Sequence, residues 1–179
     1  MSVSLLLLIA VGLGLAGWLA ARARAWGFSK DGNVRLAALP SYHGWYVALW
    51  IVLPMLVFVA LWSAIAPELV MQSVLADPAA QGLPSFGFTR ERILDEARSV
   101  ASGNAFAVFD PRAAPLVDAF RHAIGRYQVI GYTLAFLIAF AGGAYAWLRI
   151  KPDFTARKRV ERMVMMILIA ASMVAILIT

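Results

Sequence analysis

Four long runs in this chain carry no charged side chain: residues 3–21, 45–66, 129–148 and 163–179 contain no Asp, Glu, Lys or Arg. A helix rises about 1.5 Å per residue, so roughly 20 apolar residues cross a hydrocarbon core of about 30 Å. The first three runs have that length, and each is predicted to be a transmembrane helix. The fourth, at 17 residues, is read as the beginning of another: either its carboxylate sits at the far interface or, the favoured reading, the chain is the front part of a longer polypeptide. With 62% hydrophobic and 15% charged residues, the chain is too apolar to hide its side chains inside a soluble domain. The predicted class is an all-α integral membrane protein with three transmembrane helices, a fourth starting at the C-terminus and a small helical segment outside the membrane.

The segments between the runs set an orientation. Residues 22–44 hold Arg22, Arg24, Lys30 and Arg35 against Asp31, with Gly27, Gly32 and Pro40 as breakers. Residues 149–162 hold Arg149, Lys151, Arg157, Lys158, Arg159 and Arg162 against Asp153 and Glu161. Short loops rich in Lys and Arg stay on the cytoplasmic side. Residues 22–44 and 149–162 are therefore expected to be cytoplasmic, with Arg22, Arg24, Lys30, Arg35, Arg157, Lys158, Arg159 and Arg162 setting the orientation. The N-terminus and residues 67–128 then face outward. The first run is read as an uncleaved anchor, because its positive charges follow it rather than precede it. Tyr42, Trp45, Tyr46, Trp62, Tyr127 and Trp147 stand where an aromatic belt anchors helices at the membrane interface. A net charge of +6 is thus read as topology, with membrane lipid as the contact and no nucleic-acid partner.

The expected organisation is an N-terminal transmembrane hairpin (1–66), an outward segment (67–128), a third helix (129–148), a basic linker (149–162) and the fourth helix (163–179). Pro54 is expected to kink the second helix. Residues 67–128 mix seven acidic residues with six arginines and carry Pro78, Pro84, Pro111 and Pro115. In that segment Thr89 is expected to cap a helix starting at Arg90, with Ile93, Leu94, Ala97, Val100 and Ala101 on one face, ending before Gly103. A second amphipathic helix is expected from Pro115, with Leu116, Val117, Phe120 and Ile124 as its apolar face.

The residue types that carry chemistry are sparse. There is no cysteine, which removes thiolate ligands and thiol nucleophiles. His43 and His122 are the two histidines, and the predicted topology puts them on opposite faces of the membrane. His43 is read as an interfacial polar residue, and the adjacent Asp95 and Glu96 as a solvated face with Arg92 and Arg98 nearby to pair with them. No nucleophile elbow or phosphate-binding loop is present, and no ionisable group lies within a run to serve a proton or ion path. No catalytic, cofactor or metal residue is assigned, substrate contacts stay unassigned, and the chain is not expected to be an enzyme. Small residues four apart, Ala10 with Gly14, Gly17 with Ala21, and Ala135, Ala139 and Gly143 in series, suggest that the first and third helices pack closely on other helices.

The stretch Leu39-Pro40-Ser41-Tyr42-His43-Gly44-Trp45-Tyr46-Val47-Ala48-Leu49-Trp50, followed by Leu53-Pro54, resembles the N-terminal extension of a bacterial phosphate ABC transporter permease of the PstC type. Arg157-Lys158-Arg159-Val160-Glu161-Arg162 before a new apolar run is similar to the junction of that extension with the first helix of the permease core. The resemblance covers essentially the whole chain. It implies a multi-pass protein of the bacterial inner membrane with a periplasmic N-terminus and a periplasmic segment 67–128. It also implies a complex with a second permease subunit, cytoplasmic ATPase subunits and a periplasmic phosphate-binding protein that imports inorganic phosphate, the chain itself serving anchoring, assembly or partner contact. The family's ATPase-docking helix has no counterpart here: Glu96-Ala97-Arg98 lacks its glycine spacing and lies in the outward segment. The alternative is a small stand-alone membrane scaffold or regulator that binds a partner through residues 67–128.

Overall fold

The computed structural model describes residues 3–30, 38–84, 86–151 and 153–178. The fold is all-helical: α1 (Val3–Lys30), α2 (Pro40–Leu75), α3 (Gly87–Ala101), α4 (Ala114–Leu148) and α5 (Ala156–Ile178), with a 3-10 turn at Pro78–Gly82. All except α3 are long and apolar enough to cross a membrane. The chain divides into a bundle unit, Ser2–Phe58 with Ala135–Thr179, and an insert unit, Val59–Leu134.

Every membrane helix is longer than its charge-free run. Instead of ending at Ala21, α1 continues to Lys30, so Arg22 and Arg24 are helical and Gly27 is not a breaker. The extension is supported locally, because the Arg22 guanidinium lies 5.0 Å over the Trp18 ring and 5.5 Å over Trp26, its neighbours one turn either way. Arg35 and the Lys30 side chain lie outside the described residues. Helix α2 opens at Pro40, where a missing N–H costs nothing, and runs through Pro54 and Pro67 to Leu75. The second amphipathic helix and the third membrane helix are one continuous α4. Helix α5 begins at Ala156 rather than Met163, its first turns held by an Arg157–Glu161 pair at 2.7 Å, four residues apart.

In the bundle, helices meet at small residues. The Cβ positions of Gly14 and Gly17 would run into Val52 and Ile51 of α2, and that of Gly44 would lie 2.7 Å from Trp18 Cδ1. A methyl at Gly142 would overlap the Trp50 carbonyl oxygen, and one at Gly143 would press on Ile51. Ala10, Ala21, Ala135 and Ala139 are all buried. The small residues spaced along α1 and α4 therefore sit where helix backbones come close, which is how helices associate in lipid without a hydrophobic drive between them.

The insert unit is held by a conventional apolar core. Val70 and Val74 of α2, Ile93, Leu94 and Ala97 of α3, and Leu116, Val117, Phe120 and Ala123 of α4 form one buried cluster, with Val100, Ala101 and Ile124 packed on its edge. Both amphipathic faces read from the sequence are thus the ones buried. Burying Phe120 completely is worth about 1.5–3 kcal/mol. Helix α3 starts at Gly87 with Phe86 at the N-cap and no side-chain cap, so Thr89 does not cap it. It stops at Ala101 as expected, with Gly103 at φ 81 just beyond.

Polar contacts close the insert. Asp77 Oδ1 accepts from the Ala79 N–H at 2.9 Å and caps the 3-10 turn. Arg126 donates to Ser73 Oγ at 3.1 Å, and Ser73 and Tyr127 hydroxyls lie 3.0 Å apart, tying α4 to α2. Glu96 is not part of a solvated acidic pair balanced by arginine. Its Oε1 accepts the backbone N–H groups of Phe109 and of Asp110, the latter at 3.0 Å, and so fastens the loop after α3 back onto that helix.

Gly142→Ala forces backbone apart and should lower the thermal unfolding midpoint in detergent by an amount equivalent to about 1–3 kcal/mol. Gly12→Ala, with nothing within 4 Å of its added methyl, should not lower it. Glu96→Ala removes the acceptor for two loop N–H groups, so hydrogen exchange at Phe109 and Asp110 should accelerate several-fold, while exchange in α1 stays unchanged.

Candidate functional site

Among the described residues, the charged side chains of the bundle lie toward the segments where α1 finishes, α2 begins, α4 finishes and α5 begins. The segment joining α4 to α5 is held there by two apolar anchors. Ile150 is buried, and Phe154 packs edge-on against Tyr46 with ring centroids 4.9 Å apart. Tyr46 is itself buried and meets Trp50 at 6.4 Å; Trp50 meets Tyr145 at 4.7 Å. His43, expected at the interface, is fully buried in this cluster, 6.0 Å from the Phe154 ring. Its Nδ1 lies 3.3 Å from the Leu39 carbonyl oxygen, a contact that calls for the proton on that nitrogen. His122 is exposed on α4 in the insert unit.

Around these aromatic residues guanidinium groups lie over ring faces. Arg24 sits 4.7 Å over Trp147, Arg149 sits 4.8 Å over Tyr145, and Arg159 sits 5.0 Å over Phe154. Arg157 pairs with Glu161 and lies 6.0 Å from the Tyr42 ring, and Lys158 and Arg162 are exposed. Stacking on a ring face leaves the guanidinium edge free to donate hydrogen bonds. A recess of about 530 Å³, lined by Arg149, Lys151 and Arg159 with Asp153, Phe154 and Thr155, opens among them. Three cations against one carboxylate make this a surface for an anionic group or an acidic partner.

Of the aromatic residues singled out from the sequence, Tyr42, Trp45, Tyr46 and Trp147 belong to the bundle and Trp62 and Tyr127 to the insert. Trp45 is half exposed and meets Trp18 edge-on at 6.4 Å; Trp62 is partly buried. Phe154 and Ile150 were not singled out, although an isolated Phe and Ile within a basic segment are a signal that the segment folds back onto something apolar. Among the described residues, no three His, Cys, Asp or Glu side chains are grouped so as to hold a metal ion.

In a comparison with protein families, residues 5–178 match the family described as phosphate ATP-binding cassette transporter. No curated protein and no solved structure matches the chain. Four helices able to cross a membrane and a match over nearly the entire sequence make one conclusion: the chain is a membrane protein that belongs to the phosphate ATP-binding cassette transporter family.

Proposed function

We propose that this chain is the N-terminal membrane region of a PstC-type permease subunit of a phosphate importer in the bacterial inner membrane, acting in anchoring, assembly and partner contact rather than in catalysis. The observation that carries the reading is the family match over residues 5–178. The basic end of the bundle supports it. Arg22, Arg24, Arg149, Arg157, Lys158, Arg159 and Arg162 belong to the ends of α1, α4 and α5, and the positive-inside rule favours a cytoplasmic side for such a basic surface. The insert and the N-terminus are then periplasmic. Such a surface suits contact with cytoplasmic ATPase subunits, and the insert suits contact with a periplasmic phosphate-binding protein or a second permease subunit.

A second reading, a scaffold that binds a partner through the insert, is favoured by one observation. Phe86, Phe88, Phe106 and Phe109 are 81%, 76%, 107% and 91% exposed, a density of bare phenylalanine that solvent does not favour.

The absence of cysteine makes orientation directly testable with single introduced thiols. A membrane-impermeant maleimide added to spheroplasts should label Ser102→Cys and should not label Lys158→Cys until the membrane is opened; the opposite pattern sinks the proposed orientation. The tagged chain, isolated from its native membrane, should retain a second permease and ATPase subunits, and isolation free of both would reject the transporter role. Under the scaffold reading, Phe88→Ser with Phe106→Ser would strip the retained partners while membrane insertion survives; under the permease reading the ATPase subunits stay.

A further inference from the structure

Helices α1, α2 and α4 leave an apolar groove of about 400 Å³ within the bundle. Its floor is made of small residues, Gly17, Gly143 and Ala144, and its walls of Ile51, Phe140 and Trp147. It is open to the surface, since Phe140 at its rim is 78% exposed. The volume falls within the range of about 300–1,000 Å³ typical of small-molecule sites. A groove lined this way offers nothing to water and is filled by hydrocarbon when the bundle lies in a bilayer.

Trp147 is one of the lining residues, and the Arg24 guanidinium, outside the lining, lies 4.7 Å over that ring. Between Phe136 and Trp147, which both line the groove, α4 rises about 16 Å. One leaflet of a bilayer contributes about 15 Å, half of a core of about 30 Å. An apolar slot about one leaflet long, with a guanidinium against one of its lining residues, matches a molecule with an acyl chain at one end and a phosphate at the other. Among the described residues neither Arg24 nor Arg22 is part of an ion pair. A guanidinium stacked on an aromatic face presents paired N–H donors that fit phosphate oxygens, and basic pockets between membrane helices hold anionic headgroups.

We propose that this groove is a binding site for an anionic phospholipid, with one acyl chain lying along Gly17, Gly143 and Ala144 and the headgroup phosphate held by Arg24. The site needs the bundle to lie in a membrane and does not depend on the transport role.

The test uses the full chain in nanodiscs and reads tryptophan quenching by lipids brominated on the acyl chain. Dibrominated phosphatidylglycerol should reach half-maximal quenching at a several-fold lower mole fraction than dibrominated phosphatidylcholine. Arg24→Gln should bring the two lipids together, and so should Ala144→Leu, which fills the groove. Arg112→Gln, which removes the same charge from an exposed position in the insert, should leave the preference intact. Equal quenching by both lipids in the unaltered chain overturns the proposal without recourse to any variant. So does a preference that survives Arg24→Gln, or one that Arg112→Gln lowers equally, which would make it an effect of net charge. Loss of the preference in excess inorganic phosphate would mark Arg24 as a free-phosphate site and also overturn it.

Discussion

In hydrocarbon, apolar helices gain nothing from hiding apolar surface from one another, so the bundle depends on how closely their backbones approach. That approach is made at glycine, and the close contacts of Gly14, Gly17, Gly44, Gly142 and Gly143 all involve α2. Gly14 and Gly17 of α1 face Ile51 and Val52, Gly44 of α2 faces Trp18, and Gly142 and Gly143 of α4 face Trp50 and Ile51. Helix α2 is thus the common partner of α1 and α4. At Gly142 the neighbour is the backbone carbonyl of Trp50, which cannot rotate aside as a side chain does.

The insert unit obeys the opposite rule. Its core of Val70, Val74, Ile93, Leu94, Leu116 and Phe120 is built from large apolar side chains rather than from glycine. Carboxylates there do local work on backbone amides, Asp77 at the 3-10 turn and Glu96 on the following loop. Residues 40–58 of α2 belong to the bundle and its remainder to the insert, and α4 divides likewise at Leu134. Single helices therefore contribute to the packing of both units without stopping between them.

At the basic end of the bundle the arginines are positioned by aromatic rings more than by carboxylates. Arg24, Arg149 and Arg159 each lie over a ring, while one ion pair, Arg157 with Glu161, is formed there among the described residues. Ring stacking fixes a guanidinium in place and keeps its charge. The surface therefore remains strongly cationic.

The membrane class, the four helices and the two amphipathic faces of the insert were legible in the sequence, because long charge-free runs and a helical period have few other physical explanations. The small-residue spacing in α1 and α4 also marked the contacts at Gly14, Gly17 and Gly143. Helix ends were less legible. Arg22, Arg24, Arg157 and Arg159 are polar, which marks the limit of the hydrocarbon, yet arginine is a good helix former and nothing in it stops a helix. Only the tertiary structure decided that His43 and Tyr46 turn inward beneath Phe154, that Glu96 reaches the loop at Phe109 rather than an arginine, and that Gly142 bears the tightest contact. Those outcomes depend on which residues distant in sequence arrive beside one another. Composition and periodicity describe what a segment prefers to touch, and they do not say which segment will be there to be touched.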